Sequence, residues 1–159
     1  MRKILATTEC FINKDGKYLM LHRSLDREIM PGVWMAPGGK REKGEGLFEA
    51  ARREVLEETG AKIKNLRVRA VGVAVLHDLE LELFFEMVLA DYASGEVKYD
   101  CVEGDLQWLT PKEILAQKTI LAELSQVLLD ILDESKPIIS YKAEYLQGNK
   151  MMAFCKEEA

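Results

Sequence analysis

Residues 38–60 place the strongest constraint on what this chain can fold into. Gly38–Gly46 holds four glycines in nine residues and therefore predicts a loop. Leu47–Thr59 then carries apolar side chains at helical spacing, so a helix is expected there. These apolar side chains are Phe48, Ala51 and Val55. Gly60 stands where a glycine commonly ends a helix, which completes a predicted loop-helix-loop segment.

Three glutamates share one side of the predicted helix. At about 100° per residue, Glu54, Glu57 and Glu58 fall within an arc of about 100° beside the apolar face. Glu54 and Glu58 are like charges at i,i+4, which destabilises a helix by roughly 0.2–0.5 kcal/mol. Acids in the last turn also interact unfavourably with the helix dipole, by about 0.3–1 kcal/mol. Two interpretations are open: an acidic face in solvent, or a site where a divalent cation gathers the carboxylates.

The glycines before the helix favour the metal-site interpretation. Gly38 and Gly39 lack a Cβ, so the backbone there can come close to a ligand or a metal. Carboxylate and backbone oxygens are the donors that a hard cation such as Mg²⁺ or Mn²⁺ prefers. Glycines in a turn are a weak signal alone, but their fixed distance from the acidic helix strengthens it.

The segment Gly39–Ala61 resembles the Nudix box. That motif is a glycine, five residues, Glu, seven residues, and then Arg-Glu-aliphatic-x-Glu-Glu-x-Gly-aliphatic. The matching residues are Gly39, Glu45, Arg53, Glu54, Val55, Glu57, Glu58 and Gly60. Ala61 is smaller than the usual final aliphatic residue, and the preceding stretch Trp34–Lys40 is similar to the approach to the box in MutT-type members.

The resemblance implies an α+β Nudix fold, with a mixed β-sheet between helices and the box as a loop-helix-loop. It also implies a hydrolase that uses Mg²⁺ or Mn²⁺. The implied metal ligands are Glu54, Glu57, Glu58 and the carbonyl group of Gly39. Arg53 would orient the carboxylates through a salt bridge. Glu45 would either support the loop and the metal site or complement the positive start of the helix.

A carboxylate must take the proton of the water that attacks phosphorus. The candidates are Glu54 and Glu103. Glu103 lies in a segment that resembles the one carrying a late carboxylate in MutT-type enzymes, whereas composition alone would make it an exposed loop acid. The catalytic residues expected are therefore Glu54, Arg53, Glu57 and Glu103.

Substrate contacts are expected at Arg23, Met35, Gly38, Gly39 and Trp108. Arg23 and its loop neighbour Arg27 can bind phosphate oxygens, and the alternative for both is a solvated loop. Trp34 or Trp108 can stack on a base, and the alternative for both is a position in the core.

In the oxidised-purine branch of the family, a polar residue and an acidic pair read the purine edge. Met35 and Leu121–Glu123 occupy those places here. Because a thioether cannot replace an amide's donor and acceptor, strict 8-oxo-guanine specificity is not expected.

The reaction implied is cleavage of a nucleoside triphosphate to a nucleoside monophosphate and pyrophosphate, with an oxidised, 8-oxo-dGTP-like substrate as one option. A nucleotide sugar or a dinucleotide of the ADP-ribose type is the alternative substrate. A third hypothesis is a Nudix-fold module that binds a nucleotide without cleaving it. The complete set of box acids counts against that module.

The composition limits the setting and the partners. With 159 residues, the chain is expected to form a single domain over 1–159. A net charge of −5 argues against a nucleic acid polymer as partner, and no apolar run approaches the roughly 18 residues of a membrane span. Three separate cysteines and two histidines predict free thiols, no structural zinc and a cytoplasmic protein. A small-molecule nucleotide is the expected partner, and a monomer or homodimer the expected assembly.

The rest of the pattern predicts a strand-rich chain in mixed order, which favours an α+β arrangement. Strands are expected at Leu5–Ile12, Lys17–His22, Trp34–Pro37, Leu66–Val75, Leu79–Leu89, Glu103–Leu109, Pro137–Tyr145 and Lys150–Phe154. Further helices are expected at Pro111–Ala116 and Ile120–Leu132.

Overall fold

The computed structural model describes residues 3–159. The strands are Lys3–Lys14 (β1), Lys17–Arg23 (β2), Trp34–Met35 (β3), Gly38–Lys40 (β4), Lys62–Leu76 (β5), Leu81–Ser94 (β6), Asp100–Cys101 (β7), Gly104–Leu109 (β8), Ile139–Leu146 (β9) and Lys150–Glu157 (β10). The helices are Leu47–Thr59 (α1), Pro111–Leu115 (α2) and Leu124–Leu132 (α3). None of the helices in this part of the chain is long and apolar enough to cross a membrane.

The strands of the described residues form one mixed sheet. Its order is β10-β9-β5-β6-β1-β2-β8-β7, with β3 beside β2 and β4 beside β1. β1 runs parallel to β6, pairing Lys3–Asn13 with Leu81–Asp91. β5 runs parallel to β9, and the other pairs are antiparallel. This mixed sheet agrees with the predicted α+β class.

Alternation along β1 gives the sheet two buried faces, because successive side chains on a strand point to opposite sides. Phe11 belongs to the core that contains Val127 of α3. Cys10 and Ile12 belong to the core that contains Val55 of α1. Burial of one large apolar side chain contributes about 1.5–3 kcal/mol to folding. The sheet therefore lies between helices, as expected.

Helix α1 has the predicted bounds. The Glu49 carboxylate accepts a hydrogen bond from the Gly46 N–H at 2.6 Å at the start of the helix. Gly60 ends it in the left-handed conformation, with φ of 78°. A Cβ at Gly60 would lie 2.3 Å from the carbonyl oxygen of Glu96, so both the backbone conformation and the close approach require glycine.

The buried face of α1 differs in part from the predicted one. Phe48 is 36% exposed, whereas Ala50, Ala51, Val55 and Thr59 are buried. The Thr59 hydroxyl is satisfied within the helix, since it donates to the Val55 carbonyl oxygen at 2.7 Å. The prediction for Phe48 was wrong because the helix packs on the sheet through smaller side chains.

The glycine-rich stretch before α1 is not a loop throughout. Gly38–Lys40 forms β4, antiparallel to β1, with Gly39 opposite Thr8. A Cβ at Gly38 would lie 1.9 Å from the Thr8 carbonyl oxygen. Glycine here permits a close contact between strands, so the loop prediction is wrong for these positions.

Several other elements begin or end at residues different from the predicted ones. α3 begins at Leu124 and not at Ile120, and the Leu121 N–H donates to the Trp34 carbonyl oxygen at 2.9 Å. β6 begins at Leu81, after a turn in which Glu80 has φ of 48°, and continues to Ser94. The short strand β7 was not predicted, and β3 ends before Pro37.

Candidate active site

A cavity of about 400 Å³ opens on the side of the sheet that carries α3. Its walls come from β1, β3, β5 and β6, the end of β2 with the loop after it, the β4–α1 segment, the turn before β8 and the segment before α3. The polar lining includes Thr7, Glu9, Arg23, Arg27, Lys40, Glu54, Glu58, Glu103 and Glu123. The apolar lining includes Leu5, Ile29, Met30, Met35, Leu83, Phe85 and Leu121. The lining therefore combines several charged groups with many apolar side chains.

Arg53 joins the loop before α1 to the acids of the helix. Its guanidinium donates to both carboxylate oxygens of Glu45, at 2.5 Å from Nε and 2.9 Å from Nη2. Nη1 donates to Glu54 at 2.7 Å and to Glu57 at 3.2 Å. The hydrogen bond from Arg53 lowers the pKa of Glu45 to about 2, and the pKa of Arg53 is raised in turn. Of the two roles considered for Glu45, this geometry fits support of the loop.

Glu54 and Glu58 approach β4 from the helix. The Glu58 carboxylate accepts a hydrogen bond from the Gly38 N–H at 3.0 Å. Burial raises the pKa of Glu58 to about 8, and the charge of Glu54 acts in the same direction. A Cβ at Gly39 would lie 2.4 Å from Glu54 Oε2, so glycine leaves the space that this carboxylate fills. The two glutamates and the two glycines thus share one wall of the cavity.

Glu103 stands between Arg23, the last residue of β2, and Arg27 in the loop that follows. Its carboxylate lies 3.8 Å from Arg23 Nη1 and 3.4 Å from Arg27 Nη1. The backbone fixes this pairing, since the Ser24 N–H donates to the Glu103 carbonyl oxygen at 2.9 Å and Arg27 donates to that of Val102 at 2.8 Å. Glu103, Arg23 and Arg27 all line the cavity that holds Glu54 and Glu58.

Comparison with known proteins decides the family. The profile of the NUDIX domain matches residues 3–130. The chain belongs to the Nudix family. It is 32% identical over 157 residues to the uncharacterized Nudix hydrolase YvcI of Bacillus subtilis (strain 168), a match that covers 97% of this chain and 95% of that one.

Two further Nudix relatives are similar in sequence or structure. The nucleoside triphosphatase NudI of Escherichia coli O139:H28 is 29% identical over 113 residues, which cover 65% of this chain and 80% of that one. The crystal structure of the MutT protein from Bacillus halodurans matches with a TM-score of 0.83 at 25% identity, and covers 96% of this chain and 97% of that one. The MutT-like Nudix fold expected from the box is thereby confirmed.

The Nudix assignment makes this chain a hydrolase that acts on a nucleoside diphosphate-linked substrate. Nudix hydrolases generally use a divalent metal and act on small-molecule nucleotides. The acids of α1 supply the hard oxygen donors that such a cation prefers.

The side chains of the Nudix box are not gathered around one point. Within residues 3–159, no three His, Cys, Asp or Glu side chains are arranged to hold a metal ion. The reason is visible in their hydrogen bonds: Glu54 and Glu57 are drawn to Arg53, and Glu58 to the Gly38 N–H. Glu57 is 60% exposed and lies outside the cavity lining. Glu54 and Glu58 nonetheless fit a hard cation, because their two carboxylates line the same cavity beside β4.

Met35 and Trp108, which were also expected to contact the substrate, lie in different parts of the structure. Met35 lines the cavity, as does Gly38. Trp108 does not line it; its ring meets that of Tyr92 edge to face at 5.9 Å, on the α1 side of the sheet. Trp34 is buried and stacks on His22 at 4.6 Å. Neither of these two tryptophans therefore lines the cavity.

Three acids of the cavity lining, Glu9, Glu28 and Glu123, were not among the predicted site residues. Glu9 lies on β1 and faces the same side of the sheet as Phe11. Glu123 lies just before α3, is 3% exposed, and lies within the segment that resembled the purine-reading region. The signal available for Glu9 was its place in the period-2 pattern of a strand whose two faces are both apolar.

Proposed function

We propose that this chain is a Mg²⁺-dependent pyrophosphohydrolase that cleaves a nucleoside triphosphate to a nucleoside monophosphate and pyrophosphate. The observation that supports it best is a single cavity that joins the box acids Glu54 and Glu58 to an apolar compartment. Phosphates near the charged side chains and a base against the apolar side chains would fill such a cavity. The volume of about 400 Å³ falls in the range typical of small-molecule sites.

The residues that would hold Mg²⁺ or Mn²⁺ are Glu54, Glu57, Glu58 and the carbonyl group of Gly39. A bound cation neutralises phosphate charge and lowers the pKa of a coordinated water. Arg53 has a positioning role, because it contacts Glu54 and Glu57 while its other edge is fixed on Glu45. Glu57 would have to turn from Arg53 toward the other two acids.

Two carboxylates can take the proton of the attacking water. The water oxygen forms a bond to phosphorus and the bridging P–O bond breaks. The leaving group, which is the nucleoside monophosphate or pyrophosphate according to the phosphorus attacked, keeps that electron pair. Glu103 is available at the cavity wall, and its arginine partners reduce its mobility. Glu54 is the second candidate, although Arg53 Nη1 holds its carboxylate in an ion pair at 2.7 Å.

Arg23, Arg27 and Lys40 supply the positive charge that a triphosphate requires in a chain of net charge −5. Arg23 is fixed by donating from Nε to the Ile29 carbonyl oxygen at 3.0 Å. Its Nη atoms can bind phosphate oxygens when Nη1 leaves its ion pair with Glu103.

The test is a panel of nucleoside triphosphates, sugar nucleotides and dinucleotides, incubated with Mg²⁺ and then with EDTA. We expect pyrophosphate and a monophosphate from at least one triphosphate, and no product with EDTA or with Glu54→Gln. Glu49→Gln is the matched control, since Glu49 lies on the same helix but binds only the Gly46 N–H. Turnover of sugar nucleotides or dinucleotides alone would replace the triphosphate proposal, and binding without product would indicate a non-catalytic module.

The setting proposed is the cytoplasm, where the protein acts on a small nucleotide as a monomer or homodimer. The cysteines Cys10, Cys101 and Cys155 are all free, which suits a reducing compartment. Light scattering at several protein concentrations would give the mass of the assembly.

A further inference from the structure

Met30, in the loop after β2, has an unusual backbone conformation. Its φ of 48° lies in the left-handed region, which non-glycine residues rarely adopt. Among the non-glycine residues with positive φ in residues 3–159, Met30 is the only apolar one. Its side chain is 8% exposed and belongs to the core on the α3 side of the sheet. A residue persists in such a conformation only when its surroundings hold it there, and such residues cluster at ligand sites.

Two side chains hold the backbone on either side of Met30. Arg23 Nε donates to the Ile29 carbonyl oxygen at 3.0 Å. Asn149 Nδ2 donates to the Pro31 carbonyl oxygen at 2.9 Å. The carbonyl group directly before Met30 and the one directly after it therefore each have a fixed partner, and together these hydrogen bonds limit the rotation of the Met30 backbone.

Asn149 reaches this loop from the C-terminal hairpin, 118 residues away from Pro31 in sequence. It ends the turn Gln147–Asn149 between β9 and β10, with φ of 61°, a conformation that asparagine tolerates better than most residues. The hairpin lies beyond residues 3–130, which the NUDIX profile matches. It is fixed on the sheet, because β9 pairs with β5 along residues 139–145. A well-anchored element thus carries the Asn149 amide.

Met30 separates two cavities. It lines the cavity that holds Glu54 and Glu58, which is the candidate active-site cavity. It also lines a second cavity of about 20 Å³, together with Asn149 and Leu79. This volume has room for about one water molecule. The space between Met30 and the hairpin is therefore incompletely filled, and Met30 can shift toward it when the hydrogen bond from Asn149 is lost.

We infer that Asn149 is a positioning residue for the substrate: its hydrogen bond to the Pro31 carbonyl group holds Met30 in the conformation that forms part of the active-site wall. The inference rests on the proposed function, because it assumes a nucleotide in that cavity. An apolar wall touches a part of the nucleotide that does not react. Loss of such a contact raises the KM and leaves the kcat unchanged.

The first test is the steady-state kinetics of Asn149→Gly with a nucleoside triphosphate that the wild type cleaves. Glycine keeps the positive φ and removes the amide. The KM should rise about 2- to 10-fold at unchanged kcat, which corresponds to the net effect of one hydrogen bond. Asn149→Asp keeps the shape of the side chain but loses the N–H donor, so the KM should rise at least as much.

Asn65→Gly is the matched control. Asn65 also has a positive φ, of 54°, and its Nδ2 donates to the Asp91 carboxylate at 2.9 Å. It lines neither of the two cavities. The KM of Asn65→Gly should equal that of the wild type, and thermal melts of both glycine variants measure what each hydrogen bond contributes to stability.

A double-mutant cycle separates positioning from a general effect on the fold. Met30→Gly removes the side chain from the wall and also the backbone strain, so it should raise the KM by itself. Adding Asn149→Gly to this variant should raise the KM no further, because Asn149 then has no side chain to position. Met30→Ala replaces Met30→Gly if that variant does not fold. A merely structural role of Asn149 predicts that the two effects on KM multiply.

Hydrogen exchange tests the contact without a substrate. Protection of the amides in residues 24–33, where the Gly32 N–H donates to the Arg23 carbonyl oxygen at 3.1 Å, should fall in Asn149→Gly and not in Asn65→Gly. Unchanged exchange and KM in Asn149→Gly, or effects that multiply in the cycle, overturn the inference and leave pyrophosphate release as it is. If the wild type releases no pyrophosphate, the proposed function is wrong and the substrate role of Asn149 is wrong with it, whereas the exchange result still decides whether Asn149 holds the loop.

Discussion

Arg53 binds Glu45 through a two-point ion pair, with Nε 2.5 Å from Oε1 and Nη2 2.9 Å from Oε2. This pair connects the loop before α1 to the helix that carries the box acids. It also leaves Nη1 free to contact Glu54 at 2.7 Å. The position of Glu54 therefore depends on a residue that does not itself line the cavity.

Arg53→Lys should reduce turnover by about 10–100-fold, the usual effect of losing a group that orients metal ligands. An ammonium group cannot make the planar contact with Glu45 and reach Glu54 at the same time. Steady-state kinetics and Mn²⁺ affinity measure the effect. Arg52→Lys is the control, because Arg52 is exposed on the same helix and bonds only the Phe48 carbonyl oxygen. Equal losses in both variants would contradict the positioning role.

The ion pair should also appear in the pH dependence of stability. Its hydrogen bond lowers the folded-state pKa of Glu45 to about 2, below the ordinary value of 4.5. The stabilisation is therefore present above pH 4.5 and is lost as the pH falls toward 2. The measurement is the difference in Tm between the wild type and Glu45→Gln from pH 2 to 7. We expect a constant gap at neutral pH that closes in acid; a gap that widens in acid would refute the assignment.

Alanine substitutions at the two adjacent glycines of β4 should have different effects. Gly39→Ala places a Cβ 2.4 Å from Glu54 Oε2. The flexible Glu54 side chain can move away and relieve this clash. Turnover should fall on the order of 100-fold with little change in Tm, because small displacements of reacting groups are costly. Gly38→Ala places a Cβ 1.9 Å from the Thr8 carbonyl oxygen and should lower the Tm sharply. Thermal melts and kinetics on both variants distinguish the two effects, and a Gly39→Ala enzyme of normal activity would show that the space is not needed.

Trp108→Phe should leave the KM for nucleotide within about twofold, since an aromatic ring remains and the residue packs on Tyr92 away from the cavity. A modest loss of Tm is expected from the smaller ring. Met35→Ala is the comparison, because Met35 lines the cavity. The KM of this variant for nucleotide should rise. A large KM change for Trp108→Phe would restore the base-stacking role expected from sequence.

The sequence predicted the local parts of this site better than the long-range ones. Arg53, Glu54, Glu57 and Glu58 lie within two turns of one helix, so their spacing alone places them together. Glu103 could be assigned only by resemblance, because the β7–β8 hairpin that carries it to the cavity depends on tertiary contacts.

The features that the local sequence does not decide share a physical cause. Glycines at Gly38 and Gly39 predicted a turn, but the same lack of a Cβ also permits close pairing with β1. Glu9 was not among the predicted site residues, because nothing nearby in sequence shows that this strand residue lines a cavity together with Glu123. Trp108 was expected to contact the substrate, because aromatic side chains occur both in hydrophobic cores and at nucleotide-binding sites. The fold places it on the α1 side of the sheet, against Tyr92.

The central claim is that Glu54 and Glu58 hold a divalent cation against β4. Titration of the wild type with Mn²⁺, followed by electron paramagnetic resonance, tests it without a substrate. We predict saturable binding that weakens by at least about tenfold in Glu54→Gln and in Glu58→Gln but not in Glu49→Gln. Absence of bound Mn²⁺ in the wild type, or equal affinity in all four proteins, would contradict the account.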